Sequence, residues 1–382
     1  MPFTITTTDR LPPLARDEQF LDGALLVRSR SGLHPTERAL LERLPTLPRA
    51  ISRVLVAGNR TGVLPATVRH LFPQATVLAH TFDMHHRAII LRTLAGSGTE
   101  AGIACVAAAD IPADAPFDGA VLQLSRHAMP TELVTDLLEQ VHERLADGGV
   151  CLIAFEGDAE WLRAQLKTVF GKTPITVADG MTLACAIRKR PLPKRRTFSA
   201  AFEVSLPGVA PFTVETRPGV FAHRRPDPGG LALAEVAARE VTPSDRVLDI
   251  GCGCGMVGIA LARAAPGLPV TFVDSHARAA ACAAANAHAN GLIDPVVDCT
   301  DTGTRHTGFT LAVGNPPYFG DFAIAELFIR NAYDGLVPGG RCLIVAKQTD
   351  WHVAFMTHLF GNAEPIRRRE YTVVRAVKKL EP

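Results

Sequence analysis

The stretch RVLDIGCGCGMVGIALA, residues 246–262, decides the fold. Four apolar or buried-type positions (247–250) run into three alternating glycines, Gly251, Gly253 and Gly255, and then into a small-residue helical pattern. A strand that turns on glycines into a helix is the opening of a βα unit, because the missing Cβ lets the backbone take unusual φ and lets a ligand come close. The next apolar run, PVTFVD at 269–274, closes on Asp274, and DSHARAAACAAANAHAN (274–290) is helical by pattern.

The same pattern occurs once before. SRVLVAGNRTGVLPATVRHLFPQATVLAHTFD (52–83) runs parallel to DRVLDIGCGCGMVGIALARAAPGLPVTFVD (245–274). FDGAVLQL at 117 matches FTLAVGNPP at 309, and CLIAF at 151 matches CLIVA at 342. The offset drifts only from 193 residues at Gly58 and Gly251 to 191 at Cys151 and Cys342, which indicates an internal duplication. Each copy alternates strand and helix, so the fold class is α/β: two tandem doubly wound, Rossmann-like domains. The N-terminal copy spans 1–187, a basic Pro-rich linker 188–200, and the C-terminal copy 201–382.

The copies differ where chemistry would reside. Asp249 and Gly253 of the second copy are Val56 and Arg60 in the first, and Asn315-Pro316-Pro317-Tyr318 is replaced by Gln123-Leu124-Ser125-Arg126. The first copy is expected to keep the fold and to have lost the chemistry.

Composition sets the outer limits. With 47% hydrophobic and 20% charged residues, the chain reads as globular, and no window offers the ~18 apolar residues needed to span a bilayer; a cytoplasmic location is expected. The eight cysteines form no C-x-x-C pair, which fits a reducing compartment. His80, His85 and His86 have no matching carboxylate or Cys spacing, so no metal is expected. Net charge is only +2, but basic residues cluster in two places. One is Arg188, Lys189, Arg190, Lys194, Arg195 and Arg196; the other is Arg367, Arg368, Arg369, Arg375, Lys378 and Lys379. Either cluster is a solvated face or a phosphate-contacting one.

N-P-P-Y at 315–318 ends an apolar strand with residues that neither continue a ladder nor start a helix. Elsewhere it would pass for a surface turn, but at a strand end downstream of a glycine loop and an acid it reads as a site. An exocyclic base amine is a poor nucleophile because its lone pair is delocalised. Acceptors aimed at its two protons, Asn315 Oδ1 and the Pro316 carbonyl, favour the tetrahedral nitrogen that attack on a methyl requires. The prolines stiffen the turn, and Tyr318 offers a ring for a flipped base.

The combination of VLDIGCGxG, Asp274 and N-P-P-Y resembles the class I S-adenosylmethionine-dependent methyltransferases, in the branch that methylates planar exocyclic amines. The doubled architecture and PGVFAHRRPDPGGLALAEV (218–236) look, more narrowly, like the bacterial ribosomal RNA guanine-N2 methyltransferases of the "small methyltransferase domain" family. That resemblance implies S-adenosyl-L-methionine as cofactor, RNA as partner, and a degenerate N-terminal copy acting as scaffold or RNA holder. It implies a cofactor-facing set of Asp249, Gly251, Cys252, Gly253, Gly255, Asp274, Asp298 and Asn315. The target amine falls to Asn315, Pro316, Pro317 and Tyr318. The family usually has Phe then His where this chain has Tyr318 then Phe319, and the adenine edge can fall to Asp298, Thr300 or Asp301. Asp227 either lies near the cofactor or target, or caps the helix that begins near Leu231. Glutamine-N5 methylation of release factors, adenine-N6 methylation and a non-catalytic, cofactor-sensing or RNA-binding role are the competing functions.

Overall fold

A computed structural model describes residues 16–20, 25–29, 32–317 and 322–380. It divides into two compact units, Met1–Phe198 and Ser199–Pro382. Each is built on a seven-stranded sheet.

In the C-terminal unit the sheet strands are β1 (Val247–Ile250), β2 (Val270–Asp274), β3 (Val296–Cys299), β4 (Phe309–Gly314), β5 (Leu336–Ala346), β6 (Glu364–Arg368) and β7 (Tyr371–Val377). Their spatial order is β3-β2-β1-β4-β5-β7-β6. The first five are parallel, and β7 and β6 close the edge antiparallel. The helices are α1 (Pro228–Ala237), α2 (Met256–Ala264), α3 (Ala277–Ala289), α4 (Ala323–Gly335) and α5 (Thr349–Phe360). β1 is buried at all four positions, which is why it is a nearly continuous apolar run rather than an alternating one. An antiparallel hairpin, Ala200–Leu206 with Val209–Thr216, precedes α1.

The N-terminal unit repeats this sheet strand for strand. Ile103–Ala107, Thr76–Thr81, Arg53–Ala57, Phe117–Ser125, Leu145–Glu156, Met181–Ile187 and Ile175–Ala178 follow in the same spatial order. Both units switch direction beside their first glycine strand, where β2 lies on one side of β1 and β4 on the other. In open parallel sheets ligands bind at the carboxyl edge of that switch point.

In the N-terminal unit that edge is occupied by its own side chains. Glu37, fully buried in the helix Pro35–Arg43, accepts from Asn59 Nδ2 at 2.8 Å, from His34 N at 3.1 Å and from the Thr61 hydroxyl. Gln123, at the position of Asn315, donates Nε2 to Thr36 Oγ1 at 2.8 Å, and Asn59 Oδ1 accepts from Gly62 N at 2.8 Å. Burial raises the Glu37 carboxyl above its ordinary value against the opposing pull of Thr61, His34 and Asn59. The lost chemistry of this copy is thus a polar plug rather than an empty cleft.

The basic clusters are also largely spent internally. Arg188 pairs with Asp147, Arg195 with Asp136 at 2.9 Å and Glu143 at 3.5 Å, and Arg196 with Glu139. In the C-terminal unit Arg368 and Arg369 both hold the buried Glu235, Arg375 holds Glu240 at 2.9 Å, and Lys378 Nζ donates to the Tyr333 and Leu336 carbonyls. Of the two readings left open by the sequence, neither is decided for the whole of either cluster, but these cations secure acids and carbonyls of their own unit. Among the described residues no helix is long and apolar enough to cross a membrane.

Replacing Glu37 by Ala leaves three donors without their acceptor, and is expected to lower the stability of the N-terminal unit by about 1–3 kcal/mol. Chemical denaturation reads this loss, and calorimetric titration of the wild type should give one cofactor per chain, not two.

Candidate functional site

The glycine loop is tied to the neighbouring strand before any ligand is considered. Gly251 N and Cys252 N both donate to the Val273 carbonyl, at 2.8 and 3.0 Å, and Gly253 N donates to Asp274 Oδ2 at 2.9 Å. Gly251 has φ +67°, and a Cβ there would come within 2.4 Å of the Phe328 ring on α4, so only glycine fits. Gly253 has φ +56° and nothing within 4 Å of a would-be Cβ, so the space above it is open. Gly255, at φ +83°, starts α2. A polar cradle of this kind, open above a glycine and beside a carboxylate, fits a ribose and the methionine chain of S-adenosylmethionine.

Asp274 sits at the rim as expected, but its carboxylate is already engaged: Oδ1 accepts from His276 N at 2.8 Å while Oδ2 holds the loop. It does not cap α3, whose cap is His276. Asp249 departs from its expected place in the cofactor-facing set. It is 2% exposed and lies beneath the loop, with Oδ2 accepting from Gly258 N at 2.8 Å in the first turn of α2. Burial pushes its carboxyl up to about 7, against the pull of the Gly258 N–H and with a further push from Asp274. The Cys252 and Cys254 side chains are likewise buried, and burial first, then the nearby carboxylates for Cys252, raises both thiols, Cys254 to about 12. Asp298, next to β2 in register with Val273, accepts from Thr304 Oγ1 at 2.6 Å and lies 3.8 Å from His306 Nε2, so it anchors the loop after β3.

Across the switch point, β4 pairs with β1 so that Gly314 lies opposite Ile250, which brings Asn315 to the same edge as the glycine loop. Asn315 Nδ2 donates to Asp227 Oδ2 at 2.8 Å, and the same oxygen accepts from Gly230 N at 2.7 Å. Asp227 is thus both things at once: the N-cap of α1 and the partner of Asn315. A carboxylate can only accept, so the amide must turn its NH2 toward Asp227 and leave Oδ1 for something else. Pro316 is buried and Pro317 half-buried beside it. Tyr318, expected to stack on the target, lies outside the described residues.

Several neighbours were not visible from the sequence. Phe328 packs on both Gly251 and Gly314. Phe322, Trp351 and Phe355 form a parallel stack with centroids 4.5 and 5.0 Å apart, and the Arg330 guanidinium caps it 5.2 Å from Phe355. At the ends of β5 and β7, Lys347 lies over Tyr371 at 5.9 Å, and Tyr371 is raised by burial and by the field of Asp227.

Comparison with known proteins agrees with this geometry. Residues 211–375, almost the whole C-terminal unit, match the family "Methyltransferase small domain". The "Ribosomal RNA small subunit methyltransferase C" of Cronobacter sakazakii is 27% identical over 353 residues, covering 91% of this chain and 98% of that protein. Its namesake in Pseudomonas putida is 29% identical over 265 residues, covering 66% and 76%. The T. thermophilus 16S rRNA N2 methyltransferase, solved with AdoMet and guanosine, superposes with a TM-score of 0.72 at 21% identity over 95% of this chain and 98% of that one.

Because the Asp249 carboxyl is favoured in its neutral form when folded, its contribution to stability is full below about pH 4 and is lost as pH rises toward about 7. Asp249→Asn, which keeps an acceptor for Gly258, should remove that slope. Relative to wild type, its C-terminal calorimetric transition should gain up to about 4 kcal/mol between pH 4 and pH 8; parallel pH profiles would contradict the assignment.

Residues 211–375 thus match the methyltransferase small domain family, and the protein is a methyltransferase that uses S-adenosylmethionine.

Proposed function

We propose that the protein transfers a methyl group from S-adenosylmethionine to the N2 amine of a guanine in small-subunit ribosomal RNA. The observation that carries this reading is the orientation of Asn315, fixed by Asp227, at the edge where the glycine loop leaves an open cradle. Support comes from relatives of nearly the same length, named for methylation of small-subunit ribosomal RNA, and from the guanosine that accompanies AdoMet in the structural neighbour.

When bound, S-adenosylmethionine supplies an electrophilic methyl on a sulfonium. The open space above Gly253, beside Asp274, would hold its ribose and methionine chain, with Asp249 bracing the loop from below rather than touching the ligand. Asn315 Oδ1 then accepts one proton of the guanine amine and the Pro316 carbonyl the other. Two acceptors on one NH2 group draw its hydrogens out of the ring plane and localise the lone pair. Positive charge developing on nitrogen meets preorganised oxygen dipoles, which is worth far more in a desolvated pocket than in water. The prolines fix the carbonyl direction before substrate arrives. No strong base is required, since a methylated ammonium loses its proton to water.

The N-terminal unit is then a scaffold. With Glu37 and Gln123 filling its cleft, it has no room for a second cofactor, and any RNA it holds would be held on its surface.

Asn315→Ala should lower kcat by roughly 10²–10³-fold with cofactor affinity nearly intact. Asp227→Ser separates orientation from capping: serine caps a helix as well as aspartate but is too short to reach Asn315. Its thermal stability should match wild type while kcat falls at least tenfold. Nucleoside analysis of small-subunit ribosomal RNA from cells lacking the protein should show the loss of N2-methylguanosine, restored by purified enzyme; an unchanged nucleoside profile would refute the substrate.

A further inference from the structure

Residues 217–227, RPGVFAHRRPD, join the hairpin to α1 and carry Arg217, His223, Arg224 and Arg225 with no acid before Asp227. The segment is held at both ends and in the middle. Pro218 O accepts at 2.9 Å from Arg278 Nη1, a guanidinium with 0% exposure, and Val220 is buried in the unit's core. Thr216 Oγ1 meets His223 Nδ1 at 2.8 Å and accepts from Arg224 N at 3.2 Å, and Asp227 closes the segment on Asn315. Arg278 lies just after Asp274, so the segment runs from beside the ribose acid to the catalytic amide.

Two of its residues, Ala222 at φ +53° and Arg224 at φ +75°, adopt the left-handed conformation without being glycine. Each costs about 1–2 kcal/mol and survives only because the surroundings over-determine it. What this strain accomplishes is visible at Phe221. Placed between buried Val220 and left-handed Ala222, its ring is 68% exposed, the one aromatic among the exposed large hydrophobic side chains of the described residues. Arg224 and Arg225 beside it are exposed too.

A rigidly presented flat ring among guanidinium groups suits a stacked nucleobase with phosphates on either side. The cofactor is the wrong occupant on charge. S-adenosylmethionine carries a sulfonium and an ammonium against one carboxylate, and a cluster of arginines repels it while attracting a polyanion. Phe221 and Asp227 are six positions apart, a reach of at most about 20 Å, so a base on the Phe221 ring and the base held by Asn315 can belong to one strand.

We propose that Phe221 is a stacking platform for an unpaired base flanking the target guanosine, with Arg225 on an adjoining phosphate. This rests on the RNA substrate argued above.

The test uses full-length protein and, as probes, deproteinised small-subunit ribosomal RNA and intact small subunits, both from cells lacking the enzyme; whichever the wild type binds more tightly is used. Phe221→Ala should weaken RNA binding roughly 5–150-fold, the range set by about 1–3 kcal/mol of stacking, with the S-adenosylmethionine dissociation constant unchanged. Phe221→Trp should restore RNA affinity to within about threefold, which a purely structural role would not allow. Arg225→Gln should reduce the slope of log affinity against log salt by about 0.7, one phosphate on a single strand. Unchanged RNA affinity in Phe221→Ala, a loss of cofactor affinity in place of RNA affinity, or failure of Phe221→Trp to rescue would each overturn the platform. Wild-type transfer to guanine N2 is measured alongside. Its absence refutes the substrate reading, whereas normal transfer with a Phe221→Ala variant that binds RNA as wild type does refutes the platform alone.

Discussion

The C-terminal unit is organised around one oxygen. Asp227 Oδ2 receives the Gly230 N–H of α1 and the Asn315 amide at the end of β4, 2.7 and 2.8 Å away. An ionised carboxylate has no proton to give, so this contact does more than hold Asn315; it decides which of the two amide atoms faces the cleft. The helix is secured by the same atom, because an acid at an N-cap satisfies an orphan N–H and meets the positive end of the dipole. Folding α1 and orienting the amide are therefore one event. Without Asp227 the amide is free to flip, and under the proposed transfer it would then present a donor to the substrate's own donors.

The N-terminal unit shows how little separates such a site from a strut. At the positions of Asp227 and Asn315 it has His34 and Gln123. Glutamine, one methylene longer, reaches across to Thr36, while Glu37 turns inward to take the hydrogen bonds of Asn59 and Thr61. The sheet beneath is unchanged. Identical backbones support a cradle or a plug according to which way a few polar side chains point, and that direction is set by the availability of acceptors.

The fold was legible because it depends on local signals repeated twice: continuous apolar strands, glycines at left-handed positions, and an acid or N-P-P at strand ends. The glycine loop, Asp274 and Asn315 were legible for the same reason, since each lies at the carboxyl end of a strand whose order is fixed by topology. Directions of side chains were not. Asp249 sits on a four-residue strand buried on both faces, so nothing in its neighbours says whether it points up to a ligand or down to Gly258. The Asp227–Asn315 contact spans 88 residues, and the arginines of the C-terminal run find Glu235 from more than 130 residues away. A basic run in sequence therefore looks like a phosphate site until its acids are located. Phe328 and the Phe322, Trp351 and Phe355 stack were invisible because aromatic residues at helical spacing read simply as core.

Why the N-terminal copy is plugged rather than empty follows from the cost of unpaired polar groups. A glycine loop at a strand end leaves a polar cleft, and in the C-terminal unit a ligand can fill the open space above Gly253. Once a copy no longer binds that ligand, the same cleft is a buried polar void, costing about 1–3 kcal/mol for each group left unsatisfied. Glu37, Asn59 and Gln123 remove that cost by bonding to one another and to Gly62 N. The price is a desolvated carboxyl with a raised pKa, tolerable because three donors surround it. The plug also makes the loss hard to reverse. Regaining the cradle would require removing Glu37, exchanging Arg60 for glycine and Val56 for an acid; of these, removing the buried Glu37 alone leaves a void, and an acid at the buried Val56 alone is an unpaired charge. Divergence after duplication is in this sense one-way, with each step that stabilises the scaffold moving it further from catalysis.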